Sequence, residues 1–287
     1  MNMRNRTFIL TLSCPDTVGI VAAVTKDLAE HSALITETQH YREPLSNSTV
    51  LRIVFEAGGS VPLDMERLTR DFGSVASRFG MTWAIRDTAE RLQVLIAVSR
   101  QGHCLKSLLH RWEVGTLPVD IVGVVSNHET QRRLVEWHQL PFYYLPIEGW
   151  KEQQEEKLLA LFANVKADLL VLARYMQILS DKACRQLAGR AINIHHSFLP
   201  GFKGAKPYHQ AYERGVKLIG ATAHYINSDL DEGPIIEQAV ERVDHSMTVE
   251  QLTTLGNEIE SVVLNRAIQW HAEHRIFEFG NRTVVLR

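Results

Sequence analysis

A two-part α/β fold is what the sequence predicts: a small ferredoxin-like βαββαβ unit, then a larger doubly wound, mostly parallel, Rossmann-like sheet. Three observations predict it. Over residues 7–86, short β-rich runs and two helical stretches follow one another in the order βαββαβ. From residue 92 onward, apolar runs of strand length alternate with helical patterns, as parallel strands buried on both faces do. Between them, Asp87-Thr88-Ala89-Glu90-Arg91 is polar and belongs to neither pattern. The expected organisation is a first domain over 1–86, a linker over 87–91 and a second domain over 92–287. A chain of 287 residues is long enough for two cores.

Each element has its reason. Residues 7–12 alternate in polarity and read as a strand. Cys14 to Ile20 is a turn that opens a helix to about His31, with Val21, Val24 and Leu28 on its apolar face. Strands are expected at 33–41 and 48–55, a helix over 63–79 after the Gly58-Gly59-Ser60 break, and a strand at 81–86. In the second domain strands are expected at 92–98, 120–125, 142–145 and 169–173, with helices over 104–112, 129–138 and 151–163. The stretch 191–238 then reads as strand, loop, helix, strand, loop, strand. A strand at 191–194 precedes a Pro200-Gly201 break, and Pro207 opens a helix to about Gly215. A β-rich run follows at 218–226, then a turn over 227–233. A long helix over 248–273 and a hairpin-like pair at 276–279 and 283–286 close the chain.

Composition narrows the function classes. Hydrophobic content of 45% and charged content of 22% are those of an ordinary globular protein. A net charge of −2 leaves no basic footprint for nucleic acid. No apolar run approaches the ~20 residues that span a bilayer, and the apolar run near the N-terminus is too short for a signal segment. Cys14, Cys104 and Cys184 are dispersed, the pattern of reduced thiols in a cytoplasmic protein. A metal site is not expected. His195 and His196 are adjacent on a strand and point to opposite faces, and no HxxxH or CxxC spacing completes a shell. Lys203 and Lys206 read as solvated loop residues.

The candidate reaction centre is Asn193, His195 and Asp231. Asn193 offers an amide donor to a developing oxyanion, and His195 titrates near neutrality. One residue separates them, so an extended strand points both side chains to the same face. Asp231 lies beyond another strand, placed to orient the histidine or hold a water. Taken singly, His195 suits a structural histidine, Asp231 a turn former and Asn193 a strand cap. Their combination at two strand ends, where open α/β sheets place ligand crevices, favours chemistry.

These residues also carry a family likeness. NIHHSFLPGFKG (193–204) resembles the N-I-H-x-S-x-L-P segment of the formyltetrahydrofolate-dependent formyl transferases and hydrolases. GATAHYINSDLDEG (220–233) is similar to that family's second signature, which closes on D-x-G. The resemblance implies catalytic roles for Asn193, His195 and Asp231. It makes ARYMQILS (173–180) the folate loop, with Arg174, Tyr175, Met176, Gln177, Ile178 and Leu179 binding substrate. Many family transferases carry an arginine where Gln177 stands, near the glutamate tail of folate, and Arg174 is the candidate to compensate. No cofactor is implied, since 10-formyltetrahydrofolate is the substrate.

Three functions fit that likeness: hydrolysis to formate and tetrahydrofolate, formyl transfer to an amine acceptor, and amino-acid sensing by a chain with a non-catalytic folate domain. Acceptors with a phosphorylated glycinamide are served in the family by a glycine-rich loop whose N–H groups cradle the phosphate. SRQGHCL (99–105) has only Gly102 there, with His103 and Cys104 beside it. The family's tRNA enzymes carry an extra C-terminal domain. The complete triad argues against a sensor. The opening Pro15-Asp16-Thr17-Val18-Gly19-Ile20 resembles an ACT domain, an amino-acid-binding module, and that module ahead of a formyl-folate domain resembles the deformylase branch. Hydrolysis, feeding formate to purine synthesis, is therefore the expected function. Glycine or methionine is the expected effector, received at Asp16, Gly19 and Ile20, with homo-oligomers forming through the ACT-like domain.

Overall fold

The structure is a computed structural model and describes residues 6–59, 62–147, 149–199 and 207–287. The expectations at Ser60, Pro200-Gly201, Lys203 and Lys206 lie outside the described residues. The chain divides into two compact units. One comprises residues 1–91 with 274–279 and 285–287, the other 92–273 with 280–284.

The first unit runs β1 (Thr7–Pro15), α1 (Ile20–Glu30), β2 (Ala33–Glu43), β3 (Ser48–Ala57), α2 (Met65–Phe79) and β4 (Thr82–Asp87). Its antiparallel sheet has the order β2-β3-β1-β4, the ferredoxin-like arrangement. Phe8, Leu10 and Leu12 alternate inward from β1 onto Val24 and Leu28 of α1 and onto Leu68 and Phe72 of α2. The inward stripe of α1 is Ile20, Val24 and Leu28, at the helical spacing of four, whereas Val21 is 37% exposed and faces out. The second helix starts at Met65 rather than Leu63. Asp64, itself extended, caps it by accepting from the Arg67 N–H at 3.0 Å.

The second unit holds β5 (Leu92–Val98), α3 (His103–Glu113), β6 (Val119–Ser126), α4 (Arg132–Trp137), β7 (Phe142–Tyr144), α5 (Lys151–Asn164), β8 (Leu169–Leu172), α6 (Asp181–Gln186), β9 (Ala191–His195), α7 (Pro207–Glu213), β10 (Leu218–Tyr225), β11 (Ile235–Arg242) and α8 (Val249–Ala272). Its sheet has the order β11-β10-β9-β8-β5-β6-β7. β9, β8, β5, β6 and β7 are parallel, while β10 and β11 run antiparallel at one edge. The strands β5 and β8 are buried almost throughout, each core side chain contributing about 1.5–3 kcal/mol of transfer free energy. The stretch expected as one helix over 129–138 is split into a 3-10 turn at Glu129–Gln131 followed by α4. The short helix α6 was not expected; Ser180 caps it through the Ala183 N–H. Thr248 and Gln251 form a capping box that starts α8. Beyond it, β12 (Ile276–Phe279) and β13 (Arg282–Val285) pair as a hairpin.

Candidate active site

The carboxyl ends of the parallel strands surround a cavity of about 590 Å³ within the second unit. Asn193, His195 and Asp231 all line it, with Arg174 to Leu179 along one wall. Asn193 and His195 come from β9 and share a face by strand alternation. The antiparallel neighbour β10 sets Thr222 opposite His195 and His224 opposite Asn193. Buried Thr222 pins the chain just beyond His195: its hydroxyl donates to the Ser197 carbonyl at 2.9 Å and accepts from the Leu199 N–H at 3.1 Å.

Asp231 arrives from the turn between β10 and β11. That turn closes on itself, Asp229 N–H donating to Asn227 Oδ1 at 3.1 Å and Glu232 N–H to the Asp229 carbonyl at 3.1 Å. Asp231 has a left-handed backbone, φ 59°, a conformation that non-glycine residues hold mainly where surrounding structure enforces it. Gly233 supplies the close approach. A Cβ there would overlap the Tyr225 carbonyl.

The three side chains meet. His195 Nδ1 lies 3.2 Å from Asp231 Oδ2, and His195 is 4% exposed. Its Nε2 is buried with no hydrogen-bond partner among the described residues. Asn193 Nδ2 donates toward Asp231 Oδ1 at 3.5 Å and to His224 Nε2 at 3.2 Å. His224 Nδ1 donates to the Tyr225 carbonyl at 2.8 Å, which leaves its Nε2 as the acceptor for Asn193. Burial would raise the Asp231 pKa, but the facing imidazoles of His195 and His224 outweigh it and hold the carboxyl well below the usual carboxylate range. Burial first, then Arg174 and His195, lower the His196 pKa to about 4, so this imidazole is neutral at physiological pH.

The arrangement is a carboxylate–imidazole pair with one ring nitrogen unpartnered among the described residues and an amide donor beside it, the equipment for acyl-group chemistry at a carbonyl. A model of the formyl transferase family matches residues 92–268, which contain the whole site. A formyltetrahydrofolate deformylase of Corynebacterium sp. (strain P-1) is 50% identical over 97% of this chain and 98% of its own length. That of Bacillus subtilis (strain 168) is 47% identical over 96% and 92%. The crystal structure of the Burkholderia mallei deformylase superimposes with a TM-score of 0.93 at 52% identity, covering 99% of this chain and all of that one. The chain belongs to the formyl transferase family, among its formyltetrahydrofolate deformylases.

In this deformylase-family chain the 174–179 loop is held at its start. Ser99 Oγ accepts from the Met176 N–H at 3.1 Å and donates to Asn127 at 2.8 Å. Tyr175 is buried, while Met176 and Ile178 are 59% and 58% exposed. Arg174 turns inward: it is 7% exposed, donates from Nε to Gln101 at 2.9 Å, and has Nη1 3.5 Å from Glu260. The loop after β5 is occupied by protein, since a Cβ on Gly102 would overlap the Gln131 side chain, whose amide donates to the Arg100 carbonyl at 2.8 Å. His103, Cys104 and Glu260 bring three ligand-type atoms within 4.8 Å of one another. They suit an ion network rather than a metal: His103, Tyr208 and Arg174 already surround the carboxylate, and burial, with Glu260, pushes the Cys104 thiol up so that it stays protonated.

Sequence reasoning missed His224, Tyr208 and Glu260. His224 had a signal, since Thr222 and His224 alternate on a β-rich run that must pair with the Asn193 strand. Glu260 had only its polarity on an apolar helix face. At the first unit's turn, Gly19 is left-handed, φ 96°, ahead of α1, and the Asp16 carboxylate pairs with Arg42 at 2.6 Å.

Proposed function

We infer that the chain hydrolyses 10-formyltetrahydrofolate to formate and tetrahydrofolate. The observation that carries this reading is cavity-lining His195, with Nδ1 on Asp231 and Nε2 without a hydrogen-bond partner among the described residues. Asp231, held deprotonated, is a poor base and acts as the charge partner. His195 Nε2 takes a proton from the attacking water while Nδ1–H stays on Asp231. Oxygen bonds to the formyl carbon, and Asn193 Nδ2, with one hydrogen on His224 and the other only loosely on Asp231 at 3.5 Å, turns that second hydrogen to the oxyanion. Collapse of the intermediate breaks the C–N10 bond as His195 Nε2 returns its proton to N10. Formic acid then gives its proton to solvent. The 174–179 loop walls the pterin, and no cofactor takes part.

The first unit is read as an ACT-like regulatory module that binds an amino acid, glycine or methionine, near Asp16, Gly19 and Ile20. Its βαββαβ order, its sheet order and the left-handed Gly19 ahead of α1 support this. The long edge strand β2 supports assembly into homo-oligomers by sheet extension. No helix is long and apolar enough to cross a membrane among the described residues, in keeping with a cytoplasmic enzyme.

Isotope incorporation tests the reaction. In ¹⁸O-water each formate carries one solvent oxygen if water is the nucleophile. A formylated amine that retains the formyl group, with unlabelled formate, argues for transfer.

A further inference from the structure

Behind the cavity lies a buried ionic network that the hydrolytic steps do not use. Its centre is Glu260 on α8, fully buried, whose Oε1 accepts from the Tyr208 hydroxyl at 2.8 Å. Glu260 Oε2 lies 2.8 Å from His103 Nε2 and 3.5 Å from Arg174 Nη1. Three cavity walls are thereby tied together: Arg174 from the loop after β8, Gln101 from the loop after β5, and Tyr208 from α7. Glu260 and His103 sit behind those walls rather than among the cavity's lining residues.

The position of this carboxylate is informative. His103 is the first residue of α3, and α3 has no side-chain cap. The N-terminus of a helix that follows a parallel strand is where α/β proteins receive ligand anions. Here a carboxylate of the chain stands at that first turn. Two backbone features serve the same arrangement. Arg174 holds a left-handed φ of 64°, which a glycine would hold without strain, so the guanidinium is retained against a backbone preference. Gly256, one turn before Glu260 on α8, leaves room for Tyr208, since a Cβ there would overlap the phenol.

We propose that the Glu260–Arg174–His103–Tyr208 network is a seal that decides which nucleophile reaches the formyl carbon. Glu260 stands where the anionic group of an amine acceptor would dock, and Arg174 and Tyr208 close that place off from the cavity. An entering phosphate would meet a buried carboxylate that already faces His103 at 2.8 Å and Arg174 at 3.5 Å, and water is left as the nucleophile. Arg174, Tyr208 and Glu260 are thus specificity-determining residues. The inference rests on the hydrolytic reading above.

The probe is inorganic phosphate, titrated into formate release by the full-length chain. The wild type is expected to be insensitive. Glu260→Gln keeps the side-chain shape but frees Arg174 and His103, and is expected to be inhibited at phosphate concentrations at least about ten-fold below any that affect the wild type. Should the unpaired cations prevent folding, the Arg174→Gly/Glu260→Gln pair removes both charges and places glycine where φ is positive. With O-phosphoethanolamine as a small phosphorylated amine, that double variant is expected to yield formylated amine, and with ethanolamine none. Folded variants that bind folate yet match the wild type in phosphate response and product overturn the proposal. Formate release by the wild type without any amine tests the hydrolytic reading separately.

Discussion

His195 has a split environment, one ring nitrogen on a carboxylate and the other unpartnered among the described residues, and that split is what proton transfer at a carbonyl needs. His195→Ala is expected to lower turnover by roughly 10²–10⁴ with the fold retained. Asn193→Ala is expected to lose on the order of 10²–10³. Steady-state formate release measures both, and near-normal turnover in His195→Ala would remove it from the reaction. His196 gives a different kind of expectation. Its pKa is about 4 in the fold and near 6.5 when unfolded, so between those values the unfolded chain binds a proton that the native one does not. Stability therefore falls as pH drops from about 6.5 to 4, by up to roughly 3 kcal/mol from this group. Urea unfolding across that range should show the slope, and His196→Gln should flatten it; an unchanged slope would contradict the assignment.

At the scale of elements, two antiparallel neighbours assemble the site. Strand β9 aligns Asn193 and His195, β10 brings His224 opposite, and the β10–β11 turn delivers Asp231. The turn depends on Gly233. Gly233→Ala is expected to shift the Tyr225 carbonyl contact, to cost roughly 1–3 kcal/mol, and to lower turnover by moving Asp231. Thermal unfolding and turnover together check this; stability lost at full activity would mean that Asp231 does not depend on the turn. What was legible here was local. Period-two alternation put Asn193 and His195 on one face, and continuous apolar runs marked the buried strands. Contacts set by pairing register were not legible, because Asn193 meets His224 only once β9 and β10 align. Glu260 was hidden for a related reason: a carboxylate inside an apolar helix face is explained only by the partners that three other elements bring to it. Val21 and the split before α4 show the limit of periodicity when a helix is short or capped by context.

At the scale of the whole molecule, a hydrolase on a one-carbon donor drains that donor unless restrained. An amino-acid-responsive first unit is the restraint proposed here. Glycine or methionine added to the full chain is expected to change formate release by about two-fold or more, a coupling of about 0.4 kcal/mol or more; identical rates with and without each would leave the unit an assembly role. The central claim is that water alone receives the formyl group. Its most direct measurement is product analysis of purified chain incubated with 10-formyltetrahydrofolate and no amine acceptor. Formate and tetrahydrofolate should appear in equal amounts at a steady catalytic rate, unaltered when phosphorylated glycinamide is added. Absence of formate until an acceptor is present, or formylated acceptor as the main product, would contradict it.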